Sequence, residues 1–218
     1  MEYRSLVTNC FRHAPDSEYS VLKTGLLLIM LLGAMATYGS ELVPAASAPA
    51  LKRGEGYVLL HVDAGGIAPS FTAALVGDYR RWQEGRELKP PVAAPEVSVS
   101  LKGLEPGFYV MPLPSGVYQI TNVEAPYFDL PFRLTTEDRL AWRFSVEANR
   151  TNYMGSLYIA RERTMEGVKI ILLNRLAKHV PQLEAEFQPL LSEYTLRYGG
   201  YLRDDFFNTN FTQAAAPQ

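Results

Sequence analysis

Beyond residue 57 the chain alternates between apolar and polar positions with a period of two. Leu140, Trp142, Phe144 and Val146 alternate with Ala141, Arg143, Ser145 and Glu147. This predicts a strand with one buried and one wet face. Val97, Val99 and Leu101 alternate with Glu96, Ser98 and Ser100 in the same way. Further strands are expected at 57–63, 70–77, 108–112, 117–123, 153–161 and 168–174. The run Val168 to Leu173 is apolar on both faces except at Lys169, the pattern of a central strand. Turn residues separate the segments: Ala64-Gly65-Gly66, Glu105-Pro106-Gly107, Pro114-Ser115-Gly116, Thr136-Glu137-Asp138 and Glu166-Gly167. About eight short strands with no helix between them predict an antiparallel β-sandwich. A parallel sheet would need crossovers of a dozen or more residues, and none fits between 96 and 174. Residues 77–95 are polar, then rich in Pro and Ala, and read as a long loop.

The period then changes. Val180, Leu183, Phe187, Leu190, Leu191 and Tyr194 recur at helical spacing. They predict one amphipathic helix over about 181–194, packed on the sheet. Pro181 suits its first turn, and Pro189 should split it after Phe187. A last strand is expected within Thr195–Arg203, and the tail from Asn208 is expected to fray.

The first 40 residues follow neither pattern. Thr24 to Ser40 is a run of 17 residues without charge, centred on Gly25-Leu-Leu-Leu-Ile-Met-Leu-Leu-Gly-Ala-Met-Ala36. As a helix it would span roughly 26 Å, just short of the roughly 30 Å hydrocarbon core of a bilayer. Two exported readings compete, a transmembrane signal anchor and a cleaved signal peptide. Arg4, Arg12 and Lys23 precede the run and Glu41 follows it, which places the N-terminus in the cytoplasm. The 23 residues ahead of the run are long for a signal peptide and favour the anchor. Ala34-Met35-Ala36 and Ala46-Ser47-Ala48 both fit the small-x-small cleavage pattern. The chain is therefore divided into a cytoplasmic tail (1–23), the anchor or signal helix (24–40), an Ala/Pro-rich linker (41–56), a β-sandwich domain with its C-terminal helix (57–205) and a flexible tail (206–218). The expected location is the inner membrane, as a single pass with the domain in the periplasm, or the periplasm after cleavage.

Composition narrows the chemistry. Of 218 residues, 21 are Lys or Arg and 23 are Asp or Glu, for a net charge of −2. So balanced a charge argues against nucleic acid as a partner. Cys10 is the single cysteine, which excludes an intramolecular disulfide and a cysteine-built metal site. Only His13, His61 and His179 could supply imidazoles. No cofactor and no metal is expected, and no catalytic residue is assigned.

Two short motifs carry a family resemblance. Leu113-Pro-Ser-Gly-Val-Tyr-Gln-Ile-Thr-Asn-Val123 contains a Pro-x-Gly-x-Tyr turn leading into a strand, and Asn152-Tyr-Met-Gly-Ser-Leu-Tyr-Ile159 contains a Tyr-x-Gly-x-Leu strand. Both resemble segments of transthyretin-like and carboxypeptidase-regulatory-like β-sandwiches of exported bacterial proteins. The resemblance covers roughly 57–190. It implies the fold and an exported location, with a binding or scaffolding role and no catalytic residues.

Candidate sites follow from residue type. Asp78-Tyr79-Arg80-Arg81-Trp82 is the densest mixture of cations and aromatics. Tyr79, Arg80, Arg81 and Trp82 could bind an anionic sugar, a lipid headgroup or a partner carboxylate, through guanidinium forks and an indole platform. The competing expectation is a loop with Trp82 on the sheet and solvated arginines. His61 and Asp63 share a strand face, and with His179 they would be members of a hydrolase site assembled from residues distant in sequence. The pairs Glu137-Asp138, Glu184/Glu186 and Asp204-Asp205 do not share faces suited to acid–base work. The aromatics Tyr194, Tyr198, Tyr201, Phe206, Phe207 and Phe211 either close the sandwich or form a docking surface for an envelope protein or membrane interface. The favoured function is a non-enzymatic, membrane-tethered binding or assembly module of the cell envelope. The alternatives are a soluble periplasmic carrier and an envelope hydrolase.

Overall fold

The computed structural model describes residues 38–39, 41–92, 94–127, 130–162 and 167–204. The apolar run up to Thr37, Cys10, Asp205 and the aromatics Phe206, Phe207 and Phe211 lie outside them. Among the described residues no helix is long and apolar enough to cross a membrane. The chain divides into two units, Met1–Ala36 and Thr37–Gln218; only the second is described here.

That unit is mainly β, with two six-stranded sheets. In chain order the strands are β1 (Tyr38–Gly39), β2 (Val43–Pro44), β3 (Glu55–Asp63), β4 (Ser70–Gly77), β5 (Glu96–Ser100), β6 (Gly107–Pro114), β7 (Gly116–Tyr127), β8 (Leu130–Thr135), β9 (Arg143–Val146), β10 (Thr151–Glu162), β11 (Gly167–Leu173) and β12 (Leu196–Tyr198). The first sheet runs β1-β5-β4-β7-β8, and β9 also pairs with β7. The second runs β11-β10-β3-β6-β2, and β12 also pairs with β10. Val58, Leu60 and Val62 of β3 and Met111 and Leu113 of β6 share one buried cluster with Phe71 and Ala73 of β4 and Tyr118 and Ile120 of β7. Two sheets joined by a common core are consistent with a β-sandwich.

The pairing corrects the antiparallel expectation, because both sheets are mixed. β3 lies parallel to β10, β10 to β12, and β1 to β5. The crossover from β3 to β10 is not a helix: the strands of the first sheet lie between them in the chain. Alternation reports which face of a strand is buried and says nothing of its neighbour's direction. β3 is the central strand of its sheet. Its residues 56–60 are all buried, the mark of a strand covered on both faces. β11, expected at the centre, is an edge strand. Val168 and Leu172 enter the core, while Ile171 and Leu173 stay half-buried.

The strand expected from Leu140 begins only at Arg143. Leu140–Trp142 is a 3-10 turn, and Leu140 is 51% exposed. β8 and β9 both pair along β7, at Asn122–Tyr127 and Gly116–Gln119. Between them the buried Gln119 amide donates to Thr136 O (2.8 Å), Ile120 O (3.0 Å) and Arg139 O (3.2 Å). A side chain thus satisfies carbonyls where the ladder is interrupted. The Pro-x-Gly-x-Tyr turn is where the chain passes from one sheet to the other. Ser115 N donates to Gly54 O (2.8 Å), and the Tyr118 hydroxyl closes the turn on Pro114 O (2.9 Å). Gly116 serves close packing here, because a Cβ would stand 2.4 Å from Leu75 Cδ1. Tyr118 is fully buried and stacks on Phe144 at 5.4 Å.

The second sheet is covered on its outer face as well. α1 (Tyr79–Gln83) interrupts the loop expected at 77–95; α2 (Leu176–Glu186) and α3 (Gln188–Glu193) form the helical layer. The break falls at Phe187, as Pro189 dictates, but α2 starts five residues before Pro181. The proline therefore sits inside the helix. α2 starts there because Asn174 Oδ1 accepts from Leu176 N (3.1 Å) and Asp204 Oδ2 from Ala177 N (2.8 Å), which satisfies two first-turn donors. Leu183 and Phe187 pack on Tyr57, Leu59, Phe108, Val110 and Tyr153. The residues expected as a linker, 41–56, lie against the domain. Leu42 is buried in the main core, Val43–Pro44 pair with β6, and Ala45, Ala48 and Leu51 pack beside the helices.

Candidate functional site

Two side-chain clusters combine chemistry with geometry. The first lies between the second sheet and α2. Tyr57 and Leu59 of β3 face the helices, so His61, two residues further on, faces them too. β10 carries a bulge between Tyr153 and Gly155. Gly155 has φ +148°, and a Cβ there would stand 2.9 Å from Leu173 O, so glycine alone fits. The bulge resets the alternation and brings Tyr153 and Ser156 to one face. The start of α2 places His179 over them.

The rings of His61 and His179 lie 4.7 Å apart between centroids. Phe108 meets both edge-on, at 4.9 and 5.0 Å. The Tyr153 hydroxyl stands between Ser156 Oγ (3.0 Å) and His179 Nδ1 (3.2 Å). His179 and Ser156 are buried and His61 is half-buried, with its Nδ1 enclosed and without a hydrogen-bond partner. Burial pushes His179 down to about 4; His61, Lys178 and Arg175 push the same way and Asp204 opposes them. Burial also lowers His61, against the attraction of Asp63. Tyr153 is pushed up to about 12 by burial. Burial thus favours the uncharged form of both imidazoles. The structure brings His61 and His179 together as the hydrolase expectation requires. The Ser156 hydroxyl is hydrogen-bonded to Tyr153 and not to a histidine. Among the described residues no group of three or more His, Cys, Asp or Glu is placed to hold a metal ion.

The second cluster contains the residues singled out as a binding motif, and it splits them. Asp78 caps α1, accepting from Arg80 N (2.8 Å) and Arg81 N (3.2 Å). Tyr79 turns inward and is buried. Its hydroxyl donates to Glu147 Oε2 (3.1 Å) and accepts from Gln83 Nε2 (2.8 Å) and from Arg197 Nη1. Arg197 also pairs with Glu147 at 2.9 Å and lies over the Tyr79 ring, 4.9 Å from its centroid. Trp82 is half-buried between Tyr79 (5.9 Å) and Tyr201 (6.2 Å), and Tyr201 is 45% exposed. Arg80 and Arg81 are exposed beside it. Arg197, which sequence reasoning missed, is the cation that meets the aromatics. Its 118-residue separation from Tyr79 leaves no local signal.

Of the C-terminal aromatics, Tyr194 packs edge-on against Tyr57 at 5.1 Å, and Tyr198 lies 6.3 Å from Tyr153 with its hydroxyl accepting from Leu202 N at 2.8 Å. Residues 41–55 with β5, β6 and β7 also border an open pocket of about 400 Å³, lined by Val43, Pro112, Leu113 and Tyr118 with Glu41 and Lys52 at its charged side.

Fold and clusters together define a mainly β domain, one sheet of which carries a helical layer. Compared with known protein families, with curated proteins and with solved structures, the chain matches none of them.

Proposed function

We propose that the chain is an exported, non-enzymatic β-sandwich module that binds or assembles with a partner in a bacterial cell envelope. The transthyretin-like resemblance of residues 113–123 and 152–159 supports this reading, and the apolar N-terminal segment would carry the chain to the envelope. The observation that carries the binding role is the surface at Trp82. The Trp82 indole lies between the Tyr201 ring and Tyr79, which Glu147 and Arg197 hold in place, with two exposed arginines beside it. A rigid aromatic with adjacent guanidinium groups suits a carboxylate-bearing partner.

Detergent-free fractionation and cross-linking of cells producing wild type and Arg80→Glu/Arg81→Glu tests the reading. Both chains should leave the cytosol, and only wild type should enter a higher-mass cross-linked species. Recovery of the full-length chain in the cytosol, or equal cross-linking of both chains, contradicts it.

The second reading is an envelope hydrolase, favoured by the contact of His61 and His179. Ester or peptide hydrolysis by the purified chain that is lost in His61→Gln would support it. A soluble carrier is the third, favoured by the 400 Å³ pocket, whose size falls in the ligand-pocket range.

A further inference from the structure

We infer that export ends with cleavage of the Ala36–Thr37 peptide bond, so that the mature protein begins at Thr37. This rests on the envelope reading above. Two sites in the sequence fit the small-x-small pattern, ending at Ala36 and at Ala48. The fold separates them. Leu42 is 4% exposed within the main core, and Val43 and Pro44 pair with Val110 and Tyr109 of β6. Ala45 and Ala48 pack on the helix-side cluster, and Val43 and Ser47 help to line the pocket. Cleavage after Ala48 would strip all of this from the domain. Cleavage after Ala36 leaves every described residue of the domain in place, the first paired ones being Tyr38 and Gly39, joined to Val97 and Ser98 of β5.

The same pairing shortens the apolar run. With Tyr38 drawn into a strand, the uncharged residues left for a helix are Thr24–Thr37, 14 in number. They would span about 21 Å, well under the roughly 30 Å hydrocarbon core. A run of this length fits the apolar region of a cleavable signal better than a permanent anchor. The step is a hydrolysis by a membrane-bound signal peptidase. The Ala36 C–N bond breaks, water supplies the hydroxyl of the new Ala36 carboxylate and a proton goes to the new Thr37 amine.

The test is N-terminal sequencing and intact mass of the full chain, C-terminally tagged and produced in an exporting bacterial host. Wild type should lose about 4 kDa, 36 of the 218 residues of a 24.4 kDa chain, and should begin at Thr37. Ala36→Tyr should stay full-length in the membrane fraction. Ala46→Tyr, which spoils the second pattern at an exposed position, should be processed like wild type. A mature N-terminus at Pro49, a full-length chain held in the membrane with its domain outside, or normal processing of Ala36→Tyr overturns the inference while leaving export intact. A full-length chain in the cytosol overturns both.

Discussion

Acidification should loosen the helical layer through the two stacked imidazoles. His179 is held near 4 in the folded protein, against an unperturbed value of about 6.5. The native state therefore favours the neutral ring. Its contribution is full above pH 6.5, falls as the pH drops from 6.5 to 4, and is exhausted below about 4, because across that window the unfolded chain binds the proton and the folded chain does not. Linkage for one such group gives an upper limit of about 2 kcal/mol lost between pH 7 and pH 5. Solvent reaches the margin of this helix, so screening brings the expectation to about 1 kcal/mol. His61 shifts in the same direction, and a proton on one ring opposes a proton on the other. The residues facing the pair are Asp63, Arg175, Lys178 and Asp204, of mixed sign. The assay is chemical unfolding of the full-length chain in mild detergent at pH 7 and pH 5, followed by tryptophan fluorescence, for wild type and His179→Gln. Wild type should lose about 1 kcal/mol more than the variant over that interval. Parallel losses would refute the assignment of the acid sensitivity to His179.

Three further outcomes follow from the hydrogen bonds and backbone. Asn152→Leu should cost about 2–4 kcal/mol in thermal or chemical unfolding, since its buried amide serves Tyr57 O, Glu147 O, Arg150 O and Glu147 N at once. Gly155→Ala should cost about 1–3 kcal/mol, because the added methyl meets Leu173 O at a positive φ; an unchanged melting temperature would count against the bulge. Arg197→Met should cost about 1–2 kcal/mol by breaking a half-buried network, whereas Arg80→Ala should stay within about 0.5 kcal/mol.

The sequence was legible wherever one residue's environment is set by its near neighbours. The strand Ser70–Gly77 matches the expectation at both ends, and the helix break at Phe187 follows from Pro189 alone. The parallel pairing of β3 with β10 was not legible, since residues 57–63 alternate identically beside a parallel or an antiparallel partner. Leu140 shows a related limit. Its alternation with Trp142 is real, but the Gln119 amide takes over the hydrogen bonds at that point and the chain leaves the ladder. At the sites, Tyr79 and Trp82 were visible as types, yet their partners Glu147, Arg197 and Tyr201 come from distant strands and loops. The contact of His61 with His179 needs both the face set by β3 and a helix that starts before Pro181. One of the two acceptors that start that helix, Asp204, lies 27 residues from the Ala177 N–H it serves and leaves no local signal.

The central claim is that this β domain works on the exported side of a membrane. The most direct measurement is a fusion of the full chain, at Gln218, to a phosphatase that is active only with its disulfides formed, which happens in exported compartments and not in the cytosol. The account predicts strong phosphatase activity, lost when Leu27 and Leu31 are both replaced by Glu. An inactive fusion, present at the same level as an intact full-length chain, would contradict it.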